Sequence, residues 1–291
     1  MKYELIKSPY GFYSIKELPS QEFLEKYYAT KYYQNDAKSH AHVYSSDEIV
    51  FFQHKAEVAD AIVAPYHLTS LLDVGAGEGF FSIYFFQKEW DITTLDYSDY
   101  GIKQHNEKLL STLIKGDVFT SLERLIADQK KFDFINLSHI LEHVLEPISL
   151  LKQLHLLLGE NSVLRISVPN DFSKFQLHLE HLGMTTDTWV AYPDHLHYFT
   201  FESLRKLLEA LDYEIVEEIG EFPIEVFLSN QHSNYVKNPH CGKEAHKSRV
   251  LVDNFLFDEG IAKYIDYYRA SAKIGFSRQV VIFARKKRKS L

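Results

Sequence analysis

The chain has 291 residues, of which 45% are hydrophobic, so it can bury a sizeable core and is not expected to be disordered throughout. Its net charge of −8 at pH 7 argues against a polyanionic substrate, because nucleic-acid binding depends on Lys and Arg side chains that neutralise phosphates. The single cysteine, Cys241, excludes an internal disulfide and fits a reducing compartment.

Residues 1–66 are rich in tyrosine and predict helices after Pro19. Apolar residues recur with helical spacing most clearly at 21–28 and 48–63, and Pro65 closes the second segment. The N-terminus lacks the apolar segment of a secretory signal, and no apolar run approaches the roughly 20 residues of a membrane span. We therefore expect a helical cap at residues 1–66, no membrane span and a cytoplasmic location.

Residues 67–220 alternate short apolar strands with helices, a pattern that predicts a parallel sheet covered on both faces. The first strand, at 71–74, passes through Gly75, Gly77 and Gly79 directly into an apolar helix. Such a turn leaves backbone N–H groups unpaired at the start of the helix, and glycines let a ligand approach them. The turn therefore predicts a binding site for a small polar ligand.

The glycine spacing indicates which ligand. Dinucleotide-binding folds use G-x-G-x-x-G, but Phe80 stands where the third glycine of that pattern would fall. Asp73 would be a poor neighbour for a pyrophosphate and a good partner for a cationic ammonium group. The pattern favours a nucleoside that carries an amino acid, while an NAD-dependent oxidoreductase or epimerase on a similar sheet remains an alternative.

Further motifs follow in chain order. Asp96 ends a second strand about 20 residues beyond the glycines, and Asp117 follows a third strand. The remaining motifs are a strand and turn at 132–144, a strand at 162–170 that ends in Pro-Asn, and the segment 195–200 before a helix and a strand. Together they resemble the class I, Rossmann-like S-adenosylmethionine-dependent methyltransferases, within the broad bacterial subfamily that includes ubiquinone-pathway and sugar methyltransferases. The match covers roughly residues 67–220 and a last strand near 279–285.

The resemblance implies a doubly wound α/β fold with a seven-stranded, mostly parallel sheet whose last strand is antiparallel. It also implies that Asp73 binds near the methionine moiety, that Asp96 accepts both ribose hydroxyls, and that Asp117 lies near the adenine amino group. Asp96 and Asp117 as simple capping or surface acids remain alternatives. By the same resemblance, the other expected cofactor contacts are Gly75, Ala76, Gly77, Tyr97, Val118 and Leu137.

His139, Glu142 and His143 form H-x-x-E-H, which as a bare pattern is the inverted zinc-peptidase motif. We disfavour that interpretation because the residues directly follow a strand of the expected sheet. If a helix starts here, the positions i, i+3 and i+4 of His139, Glu142 and His143 share one face. Glu142 and His143 could then help to bind Mg²⁺, as the resemblance implies for some members, but a structural role is favoured and no metal is predicted. His139, nearest the strand end, is expected to contact the cofactor or the acceptor.

His195 and His197 are the other candidates for a general base. They precede a helix marked by Thr200 and Glu202, and alternation points their rings in opposite directions if the segment is extended. One ring would then face the acceptor while the other supports the loop, and Asp194 could orient an imidazole. A structural role for either histidine is equally compatible with the sequence.

Residues 221–275 show no strand–helix alternation, and 276–291 read as a last strand followed by a solvated basic tail. Because ligands of open α/β sheets bind beyond the carboxyl ends of the strands, an insertion that leaves the sixth strand there is expected to form a lid. The expected map is a cap at 1–66, a cofactor-binding core at 67–220, a lid insertion at 221–275 and a last strand with its tail at 276–291.

The sequence therefore predicts a methyltransferase that acts on a small-molecule or glycan-linked acceptor, at oxygen by resemblance, and that binds no nucleic acid. A non-catalytic module that retains the cofactor pocket is the alternative outside the enzymes. The identity of the acceptor, the need for a metal and the oligomeric state are not predicted.

Overall fold

The computed structural model describes residues 3–28 and 43–288, apart from the side chain of Glu25. Part of the predicted N-terminal cap, at 29–42, lies outside these described residues. Within them, none of the helices combines the length and the apolar character that crossing a membrane requires.

The regular elements follow one another in the order that the sequence indicates for the middle of the chain. The strands are β1 (Leu5–Lys7), β2 (Tyr13–Ile15), β3 (Ser70–Val74), β4 (Asp91–Asp96), β5 (Leu113–Lys115), β6 (Phe132–Ser138), β7 (Leu158–Pro169), β8 (His197–Tyr198), β9 (Tyr213–Ile219) and β10 (Gln279–Lys286). The helices are α1 (Gln21–Tyr28), α2 (Ser46–Val63), α3 (Phe80–Gln87), α4 (Tyr100–His105), α5 (Val118–Ala127), α6 (Pro147–Leu157), α7 (Lys174–His181), α8 (Phe201–Ala210), α9 (Gly242–Asp258) and α10 (Ile261–Ile274).

Seven strands form one sheet in the order β5-β4-β3-β6-β7-β10-β9. The pairs β3–β4, β3–β6 and β4–β5 are parallel. Parallel pairing needs crossover connections, and helices or helical turns connect β3 to β4, β4 to β5 and β5 to β6. The sheet is mixed, mostly parallel with antiparallel pairing at its last strand, and helices flank it. The predicted doubly wound α/β fold is confirmed.

Apolar side chains explain why the central strands are buried. In β6, Phe134, Ile135 and Leu137 have no exposed surface, and in β3 the same is true of Leu71 and Leu72. Near-continuous apolar runs of this kind suit strands that are covered on both faces. The sheet centre therefore forms a rigid base for the loops that follow β3, β4 and β6.

The chain divides into two compact units. One comprises residues 17–165 with the end of the chain from 285, and it contains β3 to β6 and α1 to α6. The other comprises the residues before 17 and 166–284, and it contains α7 to α10 and a small antiparallel sheet in the order β1-β2-β8. The boundary at 165/166 lies within β7 and differs from the four segments expected from the sequence, whose division stays a prediction.

Candidate functional site

The turn between β3 and α3 carries three glycines in the left-handed region, with φ of 75° at Gly75, 56° at Gly77 and 76° at Gly79. Glycine adopts this conformation without the steric cost that other residues meet. At Gly75 the space is also restricted, because a Cβ would lie 2.2 Å from Cδ1 of Ile140. The backbone of the turn thus follows a path that glycine alone fits well.

Asp96, at the end of β4, holds this turn from the neighbouring strand. Its Oδ2 accepts a hydrogen bond from the backbone N–H of Gly77 at 2.8 Å, and its Oδ1 accepts one from the N–H of Ser98 at 2.9 Å. Burial raises the pKa of Asp96 above its usual value, and the bonds from Ser98 and Gly77 oppose the rise only in part. Each carboxylate oxygen keeps acceptor capacity for a ligand.

Asp73 is buried within the same unit. Its Oδ2 accepts a hydrogen bond from the Ser82 hydroxyl at 2.5 Å, and its Oδ1 accepts one from Nδ2 of Asn136 at 2.7 Å. Arg165 donates to Oδ1 of the same Asn136 at 2.7 Å. Burial raises the pKa of Asp73, although these neighbours work to lower it. Asp73 therefore links the end of β3 to α3 and β6 through Ser82 and Asn136. Its contact with an ammonium group stays a prediction.

Asp117 is the N-cap of α5. Its Oδ1 accepts hydrogen bonds from the backbone N–H of Thr120 at 2.9 Å and from the Thr120 hydroxyl at 3.0 Å. The capping role considered for this residue is therefore present. A contact with adenine stays a prediction, since a second carboxylate oxygen remains for it.

A cavity of about 360 Å³ lies within the unit formed by residues 17–165. The residues expected at the site that line it are Gly75, Asp96, Tyr97, Asp117, Val118 and His139. Gly77, which follows Ala76 in the turn, donates its backbone N–H to Asp96. Leu137 is fully buried in β6. The parallel strands β3, β4, β5 and β6 thus deliver most of the expected residues to one cavity, as strand ends on one edge of a sheet should.

His139 and His143 line the cavity and share one carboxylate. Nδ1 of His139 lies 3.2 Å from Oε1 of Glu142, and Nε2 of His143 lies 3.7 Å from the same oxygen. Burial alone would raise the pKa of Glu142, but the hydrogen bond with His139 and the charges of both imidazoles lower it below its usual value. Glu142 is thereby held as a buried carboxylate.

The helical face proposed for these three residues is wrong. The segment 139–146 is a turn that begins with His139 at φ 55°, and α6 starts only at Pro147, whose fixed φ and missing N–H suit the first helical position. Nor does this group suit Mg²⁺, which prefers an octahedron of oxygen ligands, because it offers two imidazoles and one carboxylate.

A family model described as "Methyltransferase domain" matches residues 40–218, which is more than half of the chain. This chain belongs to the methyltransferase domain family. The prediction of a class I, S-adenosylmethionine-dependent methyltransferase is confirmed at the level of family and fold. No curated protein sequence matches the chain.

The chain is also similar to solved structures that are distant from it in sequence. The plantazolicin methyltransferase BamL, solved with a triazolic desmethylPZN analog and SAH, is 14% identical with a TM-score of 0.50, over 93% of this chain and 92% of that one. A SAM-dependent methyltransferase from Archaeoglobus fulgidus is 22% identical with a TM-score of 0.48, over 81% and 99%. Magnesium protoporphyrin IX methyltransferase from Synechocystis PCC 6803, with bound SAH, is 17% identical with a TM-score of 0.47, over 68% and 92%.

His195 and His197 of this methyltransferase lie in its other compact unit. His197 in β8 is 4% exposed, and its Nδ1 lies 2.8 Å from the Ser14 hydroxyl. Nδ1 of His195 lies 3.8 Å from Oδ2 of Asp171, a carboxylate that the sequence did not single out. The burial of His197 favours a packing role, and the catalytic roles of both residues stay predictions.

The sequence predicted a helical cap at residues 1–66, but not which of its side chains reach the methyltransferase cavity and the glycine turn. Leu24 and Tyr28 of α1 line the cavity, and the Tyr44 hydroxyl before α2 donates to Oε1 of Glu78 in the glycine turn at 3.2 Å. Burial and the nearby Glu78 charge raise the pKa of Tyr44 to about 12, so this donor keeps its proton. The tyrosine-rich composition of residues 1–66 was the available signal, but it did not indicate which rings reach the turn.

Proposed function

We propose that this methyltransferase transfers the methyl group of S-adenosylmethionine to an oxygen atom of a small-molecule or glycan-linked acceptor. The observation that carries the proposal is one cavity that joins the left-handed glycine turn, the Asp96 carboxylate and His139. Its volume of about 360 Å³ falls in the range of small-molecule sites, roughly 300–1,000 Å³.

The residues present fit the cofactor. Gly75 lines the cavity with its backbone, and Asp96 offers acceptors to a pair of ribose hydroxyls. Val118 and Phe119 give the cavity an apolar wall that suits a purine ring. When bound, S-adenosylmethionine supplies an electrophilic methyl carbon on a sulfonium.

His139 is the proposed base. An acceptor hydroxyl holds its proton at neutral pH, so its oxygen becomes a good nucleophile only as a neighbouring group takes that proton. With Nδ1–H donating to Glu142, Nε2 of His139 is the acceptor nitrogen that faces away from the carboxylate. The proton would pass to this Nε2 as the new oxygen–carbon bond forms and the sulfur–methyl bond breaks, with S-adenosylhomocysteine as the leaving group. The cavity would hold the oxygen in line at about 3–3.5 Å.

The choice of a neutral small molecule or glycan over a nucleic acid rests on the net charge of −8. Oxygen as the receiving atom rests on the sequence resemblance. The class of acceptor and the receiving atom can both be tested directly, because a labelled methyl group shows which molecule and which linkage have received it.

The deciding experiment supplies methyl-labelled S-adenosylmethionine and a bacterial metabolite extract to the full chain. We expect label in a neutral small-molecule or glycan fraction, in a linkage that survives mild alkali as an ether does and a methyl ester does not. We expect His139→Ala to lower turnover about a hundredfold, a typical loss for a general base, while calorimetry finds unchanged affinity for S-adenosylhomocysteine.

The matched control is His178→Ala, which removes an exposed imidazole on α7 that does not line the cavity. It should leave turnover unchanged. Binding of S-adenosylhomocysteine without transfer to any fraction would support the non-catalytic module instead, and binding of NAD in its place would support the oxidoreductase.

A further inference from the structure

A second cavity lies within the unit that contains residues 166–284. Its volume is about 430 Å³, and none of the described residues that line it also lines the cavity at the glycine turn. Its polar and aromatic walls come from six separate parts of the chain, around Gln176, Trp189, Glu225, Tyr235, Arg249 and Arg278. Nothing in the proposed methyl transfer uses these residues.

The charged groups at this cavity are paired with one another. Glu225, 5% exposed, accepts hydrogen bonds from Nε2 of Gln176 at 3.0 Å and from Arg278 at 3.2 Å. Arg278 also lies 3.3 Å from Oδ1 of Asp171, and Arg249 lies 3.5 Å from Oε2 of Glu221. Burial opposes the charge on Arg278, but Asp171 and Glu225 outweigh it and raise the pKa of the guanidinium.

Among the described residues, two guanidinium groups therefore face three carboxylates, and the cluster carries no surplus positive charge. A site of this composition has no electrostatic reason to attract a phosphate or another anion. Because buried ion pairs seldom add stability over well-packed apolar side chains, their presence beside a cavity calls for another role. These groups can instead form directional hydrogen bonds to a neutral ligand.

The remaining walls are aromatic and apolar. Trp189 is 6% exposed, and its ring meets the edge of Phe172 at a centroid distance of 5.7 Å. No acceptor among the described residues takes the indole N–H of Trp189. Burial raises the pKa of Tyr235 to about 12, so its phenol stays neutral and can both donate and accept. A buried donor without a partner is uncommon and indicates a group that a ligand would supply.

We propose that this cavity binds a neutral polyhydroxylated ring, that is, one sugar unit. Each sugar hydroxyl both donates and accepts, which matches the donors Trp189 and Arg249 and the acceptor Glu225, while the C–H faces of the ring suit Trp189 and Tyr235. The proposal does not depend on the methyl transfer, because binding is measured without turnover.

The chain itself offers a reporter. Trp90 and Trp189 are its two tryptophans, and Trp90 lies in the other unit, where it packs on Phe85 at 4.6 Å. In the Trp90→Phe variant, emission comes from Trp189 alone. We would titrate this variant with glucose, galactose, rhamnose and N-acetylglucosamine, and with glucuronate and inorganic phosphate as charged probes. We expect a saturable change in emission with at least one neutral sugar and none with either anion.

Two conservative variants locate the binding. Glu225→Gln removes the charge of the acceptor, and Tyr235→Phe removes one hydroxyl, so each should weaken the neutral sugar about tenfold, the effect of one good hydrogen bond. Glu202→Gln, an exposed change on α8 of the same unit, should leave the affinity unchanged. Trp189→Phe, with Trp90 retained, should show no sugar-dependent change in emission.

Saturation-transfer NMR on the unmodified chain gives an independent answer should any variant fail to fold. The proposal is overturned if no neutral sugar binds at up to about 10 mM, ten times the roughly 1 mM dissociation constant of a weak site. A stronger response to phosphate or glucuronate than to every neutral sugar overturns it as well, and so does unchanged affinity in both folded Glu225→Gln and Tyr235→Phe.

Discussion

Gly75 keeps the cavity open by lacking one methyl group. A Cβ at this position would lie 2.2 Å from Cδ1 and 2.6 Å from Cγ1 of Ile140, a side chain that lines the cavity. Ile140 would have to turn away, and the space proposed for the cofactor would shrink. We expect Gly75→Ala to weaken the binding of S-adenosylhomocysteine at least about tenfold, or about 1.4 kcal/mol, in calorimetry.

Gly183→Ala is the control that separates the clash with Ile140 from the strain of a left-handed backbone at alanine. Gly183 has φ of 66°, and a Cβ there would meet nothing within 4 Å. Strain of about 1–2 kcal/mol should lower its thermal midpoint without changing the affinity for S-adenosylhomocysteine. Equal loss of affinity in both variants would show that the contact with Ile140 is not the cause.

Glu142 makes stability depend on pH. Although burial works to raise its pKa, His139 and His143 lower it below the ordinary value of 4.5, so the folded state holds the carboxylate more readily than the unfolded chain does. The resulting stabilisation is complete above pH 4.5 and is lost as the pH falls further. We expect Glu142→Gln to have a lower thermal midpoint than the unmodified chain at pH 7, with a difference that narrows below about pH 4.5.

Glu123→Gln is the matched control, because Glu123 lies on the exposed face of α5 in the same unit. Its thermal midpoint should follow that of the unmodified chain at every pH. A difference for Glu142→Gln that stays constant from neutral to acid pH would contradict the assigned role of the carboxylate.

At the scale of single residues, the order of the motifs along the chain predicted which residues lie near the cavity, but not which partners their side chains bond. Gly75, Asp96 and His139 were all expected near the cofactor, and they line one cavity because the ends of β3, β4 and β6 meet at one sheet edge. The partners of Asp73 could not be read from order, since Ser82 and Asn136 reach it from 9 and 63 residues away. Such contacts depend on tertiary packing, which one strand's sequence does not contain.

Among the elements, periodicity located those long enough to show it. The segment 21–28 is α1 as expected, and the segment 48–63 differs from α2 by two residues at its start. β1 and β2, each three residues long, were not identified, because so short a segment cannot show alternation. β1 pairs with β2, and β2 also pairs with the distant β8, with Ser14 opposite His197 across 183 residues.

The start of α2 is fixed by a capping box. The Ser45 hydroxyl accepts from the N–H of Glu48 at 3.3 Å, and Oε2 of Glu48 accepts from the N–H of Ser45 at 2.8 Å. This cap directly follows Tyr44, which bonds to Glu78 in the glycine turn. We expect Ser45→Ala to reduce the free energy of unfolding by about 1 kcal/mol, as measured by urea denaturation.

Ser46→Ala is the control for this cap, since within the described part of the chain the Ser46 hydroxyl bonds to the adjacent Asp47 alone, at 3.5 Å. Its unfolding free energy should change by less than about 0.5 kcal/mol, as exposed substitutions usually do. Equal destabilisation by the two variants would mean that the loss comes from helix propensity and not from the capping box.

For the whole molecule, the two compact units each carry a cavity of their own. The unit around residues 17–165 holds the glycine turn, and the unit around 166–284 holds the cavity at Trp189. A ligand that binds only the folded state stabilises the unit that forms its site. Thermal unfolding can therefore assign each ligand to a unit without knowledge of the acceptor.

S-adenosylhomocysteine at a hundred times its dissociation constant should add about 2.7 kcal/mol to the stability of the unit that binds it. At about 2–4 °C per kcal/mol for a domain of this size, its thermal midpoint should rise by roughly 5–11 °C. If calorimetry resolves two transitions, only the one that belongs to residues 17–165 should move, because Gly75, Asp96 and His139 all lie there. NAD should move neither, and Asp96→Asn should reduce the shift, since an amide offers one acceptor oxygen where the carboxylate offers two. A shift with NAD equal to that with S-adenosylhomocysteine would contradict the assignment of the glycine turn to a sulfonium nucleoside.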